Sequence, residues 1–96
     1  MRRGIALAGA IVAGLVLPAV APGVPPVTCG RTTVAGHTYI VRSHGPNCSK
    51  AISWSRAYIS QRRSPTGFRC RSYGASVPVH CTRVGRPKTY FFATKP

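Results

Sequence analysis

Ninety-six residues are enough for one domain at most, and they carry fourteen Lys and Arg against no Asp or Glu, a formal net charge of +14. The missing carboxylates exclude paired-carboxylate hydrolysis and any internal ion pair between a basic and an acidic side chain. Folding must therefore work against the chain's own charge repulsion, and any dense polyanion becomes an attractive partner.

The chain opens with Met1, Arg2 and Arg3, followed from Gly4 to Leu17 by Gly, Ala, Ile, Leu and Val alone. Pro18 ends that run, and Ala19-Val20-Ala21 supplies small residues of the kind a signal peptidase accepts. This layout predicts a secretory signal peptide over residues 1–23, with the mature start between Val20 and Val24. The apolar run is shorter than the ~20 residues a spanning helix needs. Pro26-Val27-Thr28 before Cys29 is not a lipobox. Residues 24–28 read as an extended leader, and 29–96 as a single disulfide-bonded domain.

Within that domain, Arg31–Val34 and Thr38–Arg42 are β-rich runs separated by Ala35-Gly36-His37, which predicts a hairpin. His44-Gly45-Pro46 breaks the second strand, and Asn47 is a good N-cap for a helix from Cys48 to about Arg62. Cys48, Ala51, Ile52, Ser55 and Ile59 fall on one face of that helix, with Trp54 and Tyr58 beside it; Lys50, Ser53, Arg56 and Ser60 lie on the other side. After the turn Ser64-Pro65-Thr66-Gly67, three strands are expected at Phe68–Tyr73, Val77–Val84 and Thr89–Ala93. Gly74-Ala75-Ser76 and Gly85-Arg86-Pro87-Lys88 connect them, and Pro78 confines the start of its strand to an edge or a bulge. The predicted fold is a small α+β domain in ββαβββ order, an antiparallel sheet with one helix packed on it.

Cys29, Cys48, Cys70 and Cys81 all follow the export signal, and an even number in an oxidising compartment implies two disulfides. A hairpin turn centred on Ala75 and Ser76 sets Cys70 opposite Cys81. Strands that alternate in direction bring the start of the first strand beside the start of the helix. Of the three possible pairings, these two arguments favour Cys29–Cys48 with Cys70–Cys81.

Asn47-Cys48-Ser49-Lys50-Ala51 at a helix start, Gly67-Phe68-Arg69-Cys70 and Val79-His80-Cys81 together resemble the small exported four-cysteine proteins of actinobacteria. The resemblance spans Cys29 to Phe92. It implies a fold and a compartment, and it brings neither an assigned activity nor catalytic residues.

No motif joins His37, His44 and His80 into a catalytic set, and no Cys-x-x-Cys pair suggests a metal site. The expectation is therefore no catalytic residue, no metal and no cofactor. Arg62, Arg63, Arg69, Arg71, Arg83, Arg86 and Lys88 crowd the second half of the chain, interleaved with Phe68, Tyr73, Tyr90, Phe91 and Phe92. Basic residues beside aromatic ones suit polyanion binding, nucleic acid included. The same aromatics would also serve as the core of a small domain, with the arginines as its solvated face. Arg69 and Arg71 alternate with Cys70 and share one strand face.

The function expected from these features is that of a secreted, monomeric, basic binding protein without catalytic activity. It would associate with an anionic extracellular surface or polymer: a cell-wall polymer, extracellular nucleic acid or an acidic protein. Two alternatives stand beside it: an interaction or inhibitor module acting on an acidic secreted partner, and an antimicrobial protein acting on anionic membranes.

Overall fold

The computed structural model describes residues 24–96, so the signal peptide expected over 1–23 lies outside the described residues. Five strands and one helix follow in the order β1 (Val27–Val34), β2 (His37–His44), α1 (Cys48–Gln61), β3 (Phe68–Arg71), β4 (Val79–Arg83) and β5 (Arg86–Thr94). The sheet is antiparallel throughout, with spatial order β1-β2-β5-β4-β3. This is the ββαβββ, helix-on-sheet fold that residue patterning predicts.

β1 and β2 are joined by Ala35 and Gly36, with Val34 paired to His37. Both loop residues have positive φ, 51° at Ala35 and 82° at Gly36, which is the two-residue turn whose twist matches the strands. The turn is thus one residue shorter than the sequence suggests, and His37 opens β2. β1 begins at Val27, inside the segment read as leader, and Cys29 sits at a bulge between Thr28 and Gly30.

Asn47 caps α1, its side-chain oxygen accepting from the Lys50 amide at 2.9 Å. The chain turns into that cap at Gly45, whose φ is 110°; a Cβ there would meet Thr89 Cγ2 at 2.8 Å. At the other end Arg62 adopts the left-handed conformation, φ 55°, and its amide bonds the Tyr58 carbonyl at 2.8 Å.

Helix α1 lies across β1, β2, β5 and β4. It meets the sheet through Ala51 and Ser55, both fully buried and small enough to bring helix and strands close together. Ile52, Trp54, Tyr58 and Ile59 close the sides. The core beneath is Val34, Tyr39, Val41, Phe68, Val79, Cys81, Phe91 and Ala93, in which Trp54, Phe68 and Phe91 contact one another at ring-centroid distances of 5.2–5.7 Å. The Arg56 guanidinium reaches back from the helix to donate to Thr32 Oγ1 at 2.9 Å and the Thr33 carbonyl at 2.7 Å.

Both disulfides form in the pairing the sequence favours. Cys29–Cys48 ties the bulge of β1 to the first turn of α1, Cα–Cα 5.1 Å. Cys70–Cys81 links directly paired residues of β3 and β4, Cα–Cα 4.0 Å. Both strands are shorter than predicted. The Tyr73 amide bonds the Val77 carbonyl at 2.8 Å, so the connection closes on itself instead of extending the ladder. Pro78 has no N–H to offer, and β4 starts one residue later. β5 begins earlier than predicted: Arg83 pairs with Arg86, and residues 87–89 bulge out before pairing resumes between Thr82 and Tyr90.

Three measurements test this fold. Mass spectrometry of protein made in an oxidising compartment should find four hydrogens missing and no free thiol. Reduction should leave it largely unfolded at 37 °C, since each native disulfide of a small domain contributes about 2–5 kcal/mol. Free thiols in the folded protein would contradict the pairing. Separately, Ala35→Asn should stabilise the domain by about 1 kcal/mol, because asparagine tolerates the left-handed conformation that alanine adopts here at a cost. An unchanged or lower melting temperature would contradict the turn geometry.

Candidate anion-binding face

Residues paired directly across an antiparallel sheet project to the same face. That rule divides the aromatic residues of the second half into two groups. Phe68 and Phe91 face the helix and are buried; Tyr90 and Phe92, on either side of Phe91, project to the opposite face.

Two cross-strand rows build that opposite face. One runs Arg71–His80–Phe92–Arg42 across β3, β4, β5 and β2. The other runs Arg69–Thr82–Tyr90–His44 across the same four strands. Arg31, paired with Ile40, adds a cation on β1. Among the described residues no helix covers this side. Its centre is a strip of near-parallel rings. Tyr90 stands between His44 at 5.4 Å and His80 at 5.7 Å, with interplanar angles of 10° and 9°. Phe92 lies against His80 at 5.6 Å and 19°. The exposed Tyr73 meets His80 edge-on at 6.1 Å.

His44 Nδ1 lies against the Lys88 backbone carbonyl. A carbonyl only accepts, so Nδ1 is the donor in this contact. Arg42 Nη1 donates to Thr94 Oγ1 at 3.3 Å. Burial pushes the His80 imidazole below its ordinary value of 6.5, and a backbone hydrogen bond partly opposes the shift.

The basic residues read from the sequence do not form one patch. Arg69 and Arg71 project from the exposed edge strand β3 to the face opposite the helix. Arg83 and Arg86 pair at the β4–β5 hairpin, where Arg83 and Arg69 line one shallow depression with Thr82, Val84, Gly85 and Pro87. Lys88 lies in the bulged stretch of β5. Arg62 and Arg63 follow the helix on the other side of the molecule, Arg62 over the Tyr58 ring at 5.4 Å and Arg63 beside Trp54, Ala57 and Pro65. The sequence-derived set lacks Arg31 and Arg42, and it does not connect His44 or His80 with the aromatics. Alternation along His37–His44 carries that signal, since Tyr39, Val41 and Ser43 are buried while Thr38, Ile40, Arg42 and His44 alternate with them.

Tyr90 separates the two imidazoles of the strip, so they are not placed to act together on one phosphate in the manner of an acid–base pair. Among the described residues no group of three His, Cys, Asp or Glu could hold a metal ion, and no helix is long and apolar enough to cross a membrane. The two disulfides fit an oxidising, non-cytoplasmic compartment. No protein-family model, curated protein or solved structure matches the chain.

The lowered His80 value fixes the sign of a pH dependence. The unfolded chain takes up this proton more readily than the folded one, so the stability involved is present in full above about pH 6.5. It is lost as pH falls from there through the folded value. Below that point no side-chain carboxylate remains to titrate, and melting temperature should stay level down to about pH 2 at fixed ionic strength. Melts from pH 8 downward should show this step, and His80→Gln should remove it. A cooperative collapse near about pH 4 would contradict the assignment.

Proposed function

We propose that this chain is a secreted, non-enzymatic binding protein that attaches to anionic polymers or surfaces outside the cell membrane. The observation that best supports this reading is the face opposite the helix, where Arg31, Arg42, Arg69 and Arg71 border an aromatic strip. The chain has no carboxylate side chain to neutralise them. Guanidinium groups suit phosphate and carboxylate groups because their planar donors bind two oxygens at once. The signal-like first 23 residues, the two disulfides and the resemblance to exported four-cysteine proteins support action outside the cytoplasm. Arg83, Arg86 and Lys88 extend the positive field along the hairpin, while Arg62 and Arg63 add to it from the helix side.

Affinity for DNA, polyphosphate or a teichoic-acid-like polymer should be measurable at low salt and fall steeply as salt rises. Four contacts to a single-stranded chain imply roughly a 50-fold loss between about 50 mM and 200 mM salt. Salt-independent capture of one acidic protein would instead favour the interaction or inhibitor module. Leakage from anionic vesicles at comparable concentrations would favour the antimicrobial alternative. Absence of binding to every polyanion at low salt would overturn the proposal.

A further inference from the structure

We infer that the face opposite the helix is a binding site for single-stranded nucleic acid, with bases on the aromatic strip and phosphates on the bordering arginines. This rests on the polyanion reading above and adds to it a partner class and a location. Charge alone would accept any polyanion; the rings make the distinction.

Near-parallel rings in full face-to-face contact would lie about 3.5–4 Å apart. In this strip the centroids of His44, Tyr90, His80 and Phe92 are 5.4–6.2 Å apart with interplanar angles of 9–22°. The rings therefore overlap like offset tiles, and part of each ring is left uncovered. All four residues are half-buried, as rings held by neighbours but open on one side would be. They are also oriented alike, which is what successive stacked bases require. Every base has a π-face, so such a strip accepts sequence broadly.

The cations sit where a backbone would pass. Arg71 ends one row on β3 and Arg42 ends it on β2, three strand spacings away, about 14 Å. Arg69 lies beside Arg71 on the same face, and Arg31 lies one strand beyond Arg42. A strand of nucleic acid crossing the sheet from β3 towards β1 would meet arginines at entry and exit and rings between them. A rigid duplex hides its bases and has no use for the rings. Wall polymers supply phosphate without planar bases.

The other groups facing the strip are His44 and His80 themselves, Tyr73 over His80, the hydroxyls of Thr82 and Thr94, and the backbone carbonyl of Lys88 on His44. None carries negative charge.

The test uses the exported protein with both disulfides intact and three probes: an oligothymidylate of about 12 nucleotides, a duplex of the same length, and polyphosphate of matched charge. The oligothymidylate should bind at least tenfold more tightly than polyphosphate and more tightly than the duplex. Tyr90→Leu and Phe92→Leu should each weaken oligothymidylate binding about tenfold and leave polyphosphate binding within about twofold. Tyr73→Ser, at an exposed loop position, is the companion variant if either of those melts near room temperature, and a several-fold loss confined to oligothymidylate is expected of it. Equal affinity for oligothymidylate and polyphosphate, or equal losses for both in the ring variants, would overturn base recognition and leave the polyanion reading in place. Binding by none of the probes would overturn both.

Discussion

A chain with fourteen basic side chains and no acidic one has no carboxylate side chain to set beside a cation. The rest of the structure answers that constraint. Cations are held by neutral partners: Arg56 by a threonine hydroxyl and a carbonyl, Arg42 by Thr94, Arg62 over Tyr58, and Lys50 over Trp54 at 5.9 Å. None of these contacts cancels charge, so repulsion persists in the folded state. Two covalent links work against it, one joining helix to sheet and the other joining the edge strand β3 to its neighbour β4. A domain of this size buries little apolar surface, so the two links carry a large share of its stability.

The same constraint shapes the two faces of the sheet. Beneath the helix, Phe68, Phe91 and Trp54 make a compact aromatic core with Val41 and Val79. Opposite it, the half-buried rings of Tyr90, Phe92, His44 and His80 are neither core nor ordinary surface. Residues there cannot be matched with carboxylate side chains, so the arginines around them keep their full charge. A face that would be neutralised in most small domains is left as a positive, ring-lined surface. Binding a polyanion would relieve the strain of like charges, which ties the proposed function to the stability of the fold.

Much of the fold was legible in the residues. Asn47 before an apolar helical face, Gly36 within a β-rich hairpin and the mirrored spacing of Cys70 and Cys81 each act through local geometry, and each appears as expected. The errors lie where local patterning met long-range pairing. Tyr73 and Val77 have strand-like side chains, but their backbone groups bond each other and the ladder ends at Arg71. Ala35 occupies a left-handed position that alanine seldom adopts, because the two-residue turn fits the register of β1 and β2.

Composition, charge, cysteine number and the patterning of apolar and turn residues were sufficient to determine a small basic α+β domain with two disulfides, because those properties depend on residue type and short spacing. Which basic residues share a surface was decided only by tertiary structure. The basic set read along the chain is separated in space: Arg62 and Arg63 lie on the helix side, while Arg69 and Arg71 join Arg31 and Arg42 across the sheet. Strand order is the physical reason. β5 inserts between β2 and β4, so residues from opposite ends of the domain become neighbours, and Arg42 pairs with Phe92, which in turn pairs with His80, although some fifty and forty positions respectively separate Arg42 from them along the chain.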